Sequence, residues 1–356
     1  MAQPLPDRLH HGRGAVSNPT SARMRTLARE AEPDRWDEEE PPPLATSVTV
    51  EQPRTIISRN SSPDIPFDRS INAYRGCEHG CIYCFARPTH AYHDLSPGLD
   101  FETRLFAKPD AARLLAAELG RRGYTPAPIA MGTNTDPYQP IERQWRITRQ
   151  LLEVLAAWGH PATITTKSHL VTRDIDILAP MAARRLVSVN ISITTLDPRL
   201  ARAMEPRAAT PRRRLDAIRA LSDAGIPTSV FVSPIIPALN DHEIERILSA
   251  AAEAGARGAA SIPLRLPHEV RGLFEDWLAK TYPDRARHVM TLQHDIRGGR
   301  ANDPRFGERM RGSGPYAEAI RARFSAACRR LGLDRAPAPL ALDQFHCPDC
   351  PQLELF

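Results

Sequence analysis

Between residues 71 and 267 the chain alternates short apolar runs with longer stretches of helical period. The runs 71–74, 128–132, 162–166, 186–194, 228–233 and 259–264 are apolar and bounded by turn residues, and they predict six strands. Helical spacing fills the gaps. Over 141–158 it sets Trp145, Thr148, Leu152, Leu155 and Trp158 along one face. A second helix is expected over 212–224, stopped by Gly225. A third runs over 241–256, capped by Asp241 and again meeting a glycine at its end. Six strand–helix repeats imply parallel strands joined by right-handed crossovers. The expected fold class is therefore α/β, an open or partial (β/α)6 barrel over 46–267. Chemistry in such barrels sits at the C-terminal ends of the strands.

The flanks differ. Residues 1–45 carry few large apolar side chains and no sustained period, and their end is the acidic, proline-rich run Asp37-Glu38-Glu39-Glu40-Pro41-Pro42-Pro43. This reads as a disordered tail. Residues 268–346 read as a basic, mainly helical extension, with helices over 269–280 and 315–333. Between them Arg297, Arg300, Arg305, Arg309 and Arg311 lie among glycines. That loop reads either as a grip on a phosphate backbone or as a solvated flexible loop. Residues 347–356 form a short tail.

Composition narrows the class. Of 356 residues, 42% are hydrophobic and 25% charged, as in soluble globular proteins. No apolar run approaches the roughly eighteen residues that span a bilayer, and the N-terminus lacks a signal pattern. A cytoplasmic protein with no membrane association is expected. The formal charge of +5 agrees weakly with an acidic partner such as nucleic acid. Lys108, Lys167 and Lys280 are the only lysines; the arginine bias fits a GC-rich genome as well as a phosphate-binding surface.

The candidate chemistry lies just after the first strand, where Cys77, Cys81 and Cys84 form C-x3-C-x2-C. Three thiolates so close in a loop suit an iron–sulfur cluster with one iron left open. Other readings are a structural zinc site completed by His79 or His90, and a fortuitous cluster. The spacing, with Tyr83 before the third cysteine, resembles the radical S-adenosylmethionine (radical SAM) superfamily. The segments Gly132-Thr133-Asn134-Thr135-Asp136-Pro137-Tyr138-Gln139-Pro140, Ile164-Thr165-Thr166-Lys167-Ser168 and 230–241 are similar to its spore photoproduct lyase-related branch.

The resemblance implies a 4Fe-4S cluster on the three cysteines. It also implies S-adenosylmethionine on the open iron, a 5′-deoxyadenosyl radical and a reducing electron donor. Asn134 and Asp136 match the stretch that holds the methionine amino group; an Asx turn before proline is the plain reading of the same residues. Lys167, at a strand end, could contact a carboxylate or phosphate. Ser192, with Thr194, could face ribose hydroxyls, and Tyr83 lies within the cysteine loop. Arg214, with Glu205, matches a polar position of the family and reads equally as a solvated helix pair. Those lyases place a further cysteine soon after the cluster loop as hydrogen donor. This chain has none between Cys84 and Cys328, which leaves the catalytic residues unassigned and Tyr92 or Tyr138 as candidate donors.

A second group, Cys347 and Cys350 beside His346, could hold zinc or a second cluster with Cys328, or cycle as a dithiol. Cys328 by itself reads as a buried core residue. The last residues, Gln352-Leu353-Glu354-Leu355-Phe356, resemble the peptide by which bacterial repair proteins dock on the sliding clamp. Gln352, Leu353, Leu355 and Phe356 would be the anchors. The expected function is a radical SAM enzyme acting in DNA repair or nucleic-acid modification. The alternatives are modification of RNA or protein, and a non-catalytic iron–sulfur adaptor of the clamp.

Overall fold

The computed structural model describes residues 9–21, 44–335 and 338–348. Its strands are β1 (Ser47–Val50), β2 (Ile57–Arg59), β3 (Arg69–Ile71), β4 (Tyr74–Arg75), β5 (Arg104–Ala107), β6 (Ile129–Met131), β7 (Ala162–Thr166), β8 (Val187–Ser192), β9 (Thr228–Ile235) and β10 (Gly258–Pro263). The main sheet runs β10-β9-β8-β7-β6-β3-β2, parallel throughout except for the antiparallel edge strand β2. Five of the six predicted runs each supply one parallel strand of a partial barrel; the first parallel strand, β3, lies earlier than the 71–74 run and shares only Ile71 with it, while Tyr74 falls in β4 of the other sheet. Burial alternates along β7 and β9, with one set of side chains fully enclosed and the next half-buried.

The helices are α1 (Asp100–Thr103), α2 (Ala111–Leu119), α3 (Glu142–Trp145), α4 (Ile147–Ala157), α5 (Ile175–Ala183), α6 (Pro198–Met204), α7 (Pro211–Asp223), α8 (Ile244–Glu253), α9 (Val270–Thr281), α10 (Pro283–Asp295) and α11 (Gly314–Leu331). The single helix expected over 141–158 is broken. Arg146 adopts a left-handed backbone, φ 51°, and divides α3 from α4. The Glu142 carboxylate receives the Thr148 N–H at 3.0 Å just beyond the break, so a buried side chain, not the i−4 carbonyl, satisfies the start of α4. A small sheet, β1-β5-β4, was not foreseen because its strands are two to four residues long.

Two expectations about the flanks change. Residues 9–21 do not form part of a loose tail: Ala15 and Val16 are fully buried in one core with Ile82, Tyr83, Phe274 and Trp277. Their ordering comes from backbone contacts with a buried acid, described below, which composition does not report. In the arginine-rich loop part of the charge is engaged within the fold, while Arg300 and Arg311 are exposed. Arg297 is 1% exposed and donates to the carbonyls of Pro263, Leu264 and Arg309. Arg305 pairs with Asp303 at 2.6 Å, and Arg309 with Asp64 at 2.5 Å. The extension also shares the barrel's core, with α11 against α8 and β10. Cys328 lies in that core, 4% exposed.

At the strands' N-terminal ends the segment 338–348 folds back on the barrel. Phe345 packs on Trp158, Tyr124 and His160, and the His346 N–H donates to the Trp158 carbonyl at 3.1 Å. No helix among the described residues is long and apolar enough to cross a membrane.

Candidate radical site at the mouth of the barrel

The loop after β3 and β4 carries the three cysteines, all free thiols; Cys77 and Cys81 are buried and Cys84 partly so. Its backbone is fixed from several sides. The Cys77 N–H donates to Phe101 O at 2.9 Å, and the Ile82 N–H to Met204 O at 3.0 Å. Gln139, fully buried, accepts from the Glu78 N–H at 2.9 Å and donates to Gly76 O at 3.2 Å. Arg87, also fully buried, donates to the carbonyls of Gly80 and Cys81. Its charge is met by Glu102 at 2.5 Å, an ion pair with no exposure on either side.

Glu102 also receives the N–H groups of Gly14 and Ala15 at 2.9 and 2.8 Å. Arg13 adds a bond to the Glu102 carbonyl at 2.8 Å and one to Leu44 O at 2.6 Å. The 9–21 segment is thereby laid across the cysteine loop. Only glycine fits at position 14, because a Cβ there would lie 1.8 Å from Gly80 O.

The strand ends beneath the loop carry a polar network. Asp136 accepts from Thr166 Oγ1 at 2.6 Å, the Lys167 N–H at 2.7 Å and the Tyr138 N–H at 2.9 Å, and lies 3.3 Å from His79 Nδ1. Burial alone would raise its pKa, but His79, Thr166 and the Lys167 N–H bring it down to about 2. The bond from Tyr138 is the Asx turn the sequence suggested; the others tie β6 to β7 and to the cysteine loop. The preceding Gly132 has φ +90° and its Cβ would lie 2.0 Å from Thr165 O, so the turn can hug β7 only with glycine there. Asn134 is exposed; its N–H donates to Asn72 Oδ1 at 3.0 Å.

Deeper in the mouth, Glu205 is buried and accepts from Tyr83 Oη, Thr194 Oγ1 and Arg214 Nη2. Arg214 donates further to Ala209 O at 2.7 Å and Ser192 O at 3.1 Å, so all three of its nitrogens have protein partners. The pair is not a solvated helix contact: both side chains are at most 1% exposed. Burial opposes ionisation of Glu205, yet Arg214 and Lys167 hold its pKa at about 2. The Lys167 ammonium lies 5.8 Å from the Tyr83 ring centroid. Burial works to lower its pKa, but Cys81 and Glu205 outweigh that and raise it.

The donor set fits an iron–sulfur cluster. Burial raises the pKa of Cys77 and pushes that of Cys81 to about 12, and for both the adjacent thiols act in the same direction. Such crowded, buried thiols become thiolates when a metal supplies the compensating charge. Among the described residues no three His, Cys, Asp or Glu side chains converge on a single-ion site. A four-iron cluster needs no such convergence, since each thiolate takes its own iron. His79 Nδ1 lies 3.3 Å from Asp136 and His90 Nε2 2.8 Å from Arg104 O, and among the described residues neither histidine joins the cysteines in a three-ligand single-ion set.

The structure thus gathers Tyr83, Asp136, Lys167, Ser192 and Arg214 around the cysteines, with Asn134 on the rim. It does not bring Cys347 there: that residue lies at the strands' opposite ends, and Cys350 and the residues from Gln352 to Phe356 lie outside the described residues. Tyr92 is 67% exposed, whereas Tyr138 is buried beside the mouth. Sequence reasoning missed Gln139, Glu102 and Asn72. Gln139 lies inside the 132–140 segment, but nothing in its spacing marks a buried partner.

Comparison with known proteins agrees with this geometry. The profile of the radical SAM superfamily matches residues 71–251. An uncharacterized protein of Mycobacterium tuberculosis is 38% identical over 279 residues, covering 77% of this chain and 78% of its own length. An uncharacterized protein of Methanocaldococcus jannaschii is 30% identical over 173 residues, or 49% of this chain and 62% of its own length. In fold the chain is similar to spore photoproduct lyase, including a form complexed with dinucleoside spore photoproduct. That likeness has a TM-score of 0.56 and 16% identity, over 80% of this chain and 79% of the other.

Proposed function

The chain belongs to the radical SAM superfamily, and on that premise we propose that it modifies or repairs nucleobases in DNA and is held near the replication machinery by its C-terminal residues. Cys77, Cys81 and Cys84 would carry a 4Fe-4S cluster whose open iron takes S-adenosylmethionine. When bound, that pair supplies reductive cleavage of S-adenosylmethionine to a 5′-deoxyadenosyl radical, with the electron coming from a separate donor.

The chain's own residues position and enclose. Gln139, Arg87 and Glu102 fix the cysteine loop, and residues 9–21 cover it. Asn134 offers a free amide at the rim for the cofactor's methionine end, while Asp136 holds the turn that presents it. Lys167 supplies a cation in the mouth. Ser192 and Thr194 place polar groups at the end of the fourth parallel strand for the ribose. Arg214 and Glu205 act as a fixed floor.

The observation behind the DNA assignment is the likeness of Gln352-Leu353-Glu354-Leu355-Phe356 to clamp-docking peptides. Pro348, the last described residue, leaves the barrel at the strands' N-terminal side, opposite the cysteine loop. In the docking reading Leu353, Leu355 and Phe356 fill a groove on the clamp and Gln352 adds polar specificity. A peptide of residues 348–356 should bind a bacterial sliding clamp. Changing Leu355 and Phe356 to Ala should cost about 2 kcal/mol or more, roughly thirtyfold in affinity. No binding by peptide or full chain at low salt moves the substrate from DNA to RNA or protein.

A further inference from the structure

A cavity of about 530 Å³ opens beside the cysteine loop, between the segments that follow β6 and β7 and the start of α7. It is lined by Arg143, Arg173, Arg207 and Arg213, together with His79 and Tyr138, and no acidic residue lines it. Its size suits one small polar ligand group with its immediate surroundings.

The four arginines are not equally free. Arg207 is paired with Glu78 at 3.0 Å, and Arg173 with Glu142 and Asp174, both at 2.8 Å. Arg143 and Arg213 are exposed and have no carboxylate partner among the described residues. Arg213 Nη2 instead donates to His169 Nδ1 at 3.2 Å, a contact that aims the guanidinium without neutralising it. The N–H groups at the start of α7 add a partial positive charge at the same wall, where Thr210 caps the helix.

Tyr138, 1% exposed, lines the same cavity, and its buried hydroxyl faces Asp174; burial, and then Asp174, raise its pKa. Arg173 lies 5.9 Å from the centroid of its ring. Two guanidinium groups without carboxylate partners, in a cavity that no acidic residue lines, make a site that an anionic oxygen would complete. Another cavity, about 460 Å³ and lined by residues between 60 and 68 and by Ala127 and Pro128, contains no cation. Positive charge is thus collected in the cavity that adjoins the radical site. His79 joins the two, lining the cavity on one side and reaching Asp136 on the other.

We propose that this cavity binds a backbone phosphate of a nucleic-acid strand and so sets the adjoining nucleotide at the barrel mouth. The inference rests on the nucleic-acid reading above and adds the place where the strand is held. Arg143 and Arg213 supply the charge that binds, and Arg173 and Arg207, already neutralised, shape the walls.

The test uses full-length, anaerobically reconstituted protein and fluorescence anisotropy with labelled single-stranded DNA and RNA of one sequence, across a range of salt. Arg143→Gln with Arg213→Gln should weaken binding at least tenfold at low salt. It should also flatten the plot of log affinity against log salt by about 0.7 for each phosphate no longer neutralised. Because both residues are exposed, the unfolding midpoint and iron content should not move. Arg143→Lys with Arg213→Lys should restore most of the salt slope but less of the affinity. The RNA and DNA arms decide which strand is held. Wild-type binding that the Gln variant leaves unchanged in affinity and slope overturns the cavity assignment and spares the nucleic-acid reading. If the wild type binds neither strand, while pyrophosphate binds it and not the Gln variant, the nucleic-acid assignment is the part that fails.

Discussion

Asn134 and Asp136 sit two residues apart on one turn and do different things. The Asp136 carboxylate joins β6, β7 and His79 through four contacts, whereas the exposed Asn134 side chain holds nothing in place. Asn134→Ala should therefore leave stability within about 0.5 kcal/mol and weaken S-adenosylmethionine binding. Asp136→Ala should lower both binding and iron content, because three donors lose a buried acceptor at about 1–3 kcal/mol each. Equilibrium binding, urea unfolding and iron analysis on the two variants separate these effects. Equal behaviour of the two would return the stretch to an ordinary turn. Glu205 and Arg214 make the complementary case. Glu205→Gln should cost about 3 kcal/mol or more, since it leaves a buried guanidinium without its counter-charge; urea unfolding reads this directly. The sequence pointed to these residues but not to their burial. A Glu and an Arg nine positions apart look alike whether they meet in solvent or under a loop, and only the placement of α6 and α7 decides.

At the scale of elements, five of the six parallel strands were legible as short runs with a turn at their ends, whereas β3, Arg69-Ser70-Ile71, is mostly polar and was placed two residues late. What stayed hidden followed from long-range partners. The break at Arg146 depends on the Glu142 carboxylate, and the helical period continues through it. The 9–21 segment is held by N–H groups meeting Glu102, a contact no side-chain pattern encodes. Gly14→Ala tests that segment directly, since the added Cβ collides with Gly80 O. Trypsin should then cut after Arg13 at least ten times faster than in the wild type, as expected when buried hydrogen bonds worth about 1–3 kcal/mol are broken. An unchanged cleavage rate would mean the segment is not fastened there.

The C-terminal segment gives a second element-scale prediction. Burial pushes the pKa of His160, beside Phe345 and Tyr124, down to about 4 from 6.5. Between those values the unfolded chain binds the extra proton, so stability is complete above pH 6.5 and falls as the pH drops toward 4, by up to about 3 kcal/mol. Urea midpoints compared near pH 7 and pH 5 should show the loss in the wild type and a smaller one in His160→Gln.

The whole molecule separates two ends. Radical chemistry belongs to the mouth, where the cysteine loop, the strand ends and the arginine-lined cavity meet. Residues 338–348 pack at the other side, where Phe345 meets Trp158. Leu355→Ala with Phe356→Ala should weaken clamp binding by roughly thirtyfold or more and leave S-adenosylmethionine cleavage at its wild-type rate. Three free, crowded thiols held by buried polar contacts carry the central claim, and production of 5′-deoxyadenosine tests it most directly. Reconstituted, reduced wild-type protein given S-adenosylmethionine should form 5′-deoxyadenosine, faster when damaged single-stranded DNA is present. Cys77→Ala, Cys81→Ala or Cys84→Ala should each abolish it. A wild-type protein that binds about four irons on these cysteines yet forms no 5′-deoxyadenosine under any of these conditions would contradict the account.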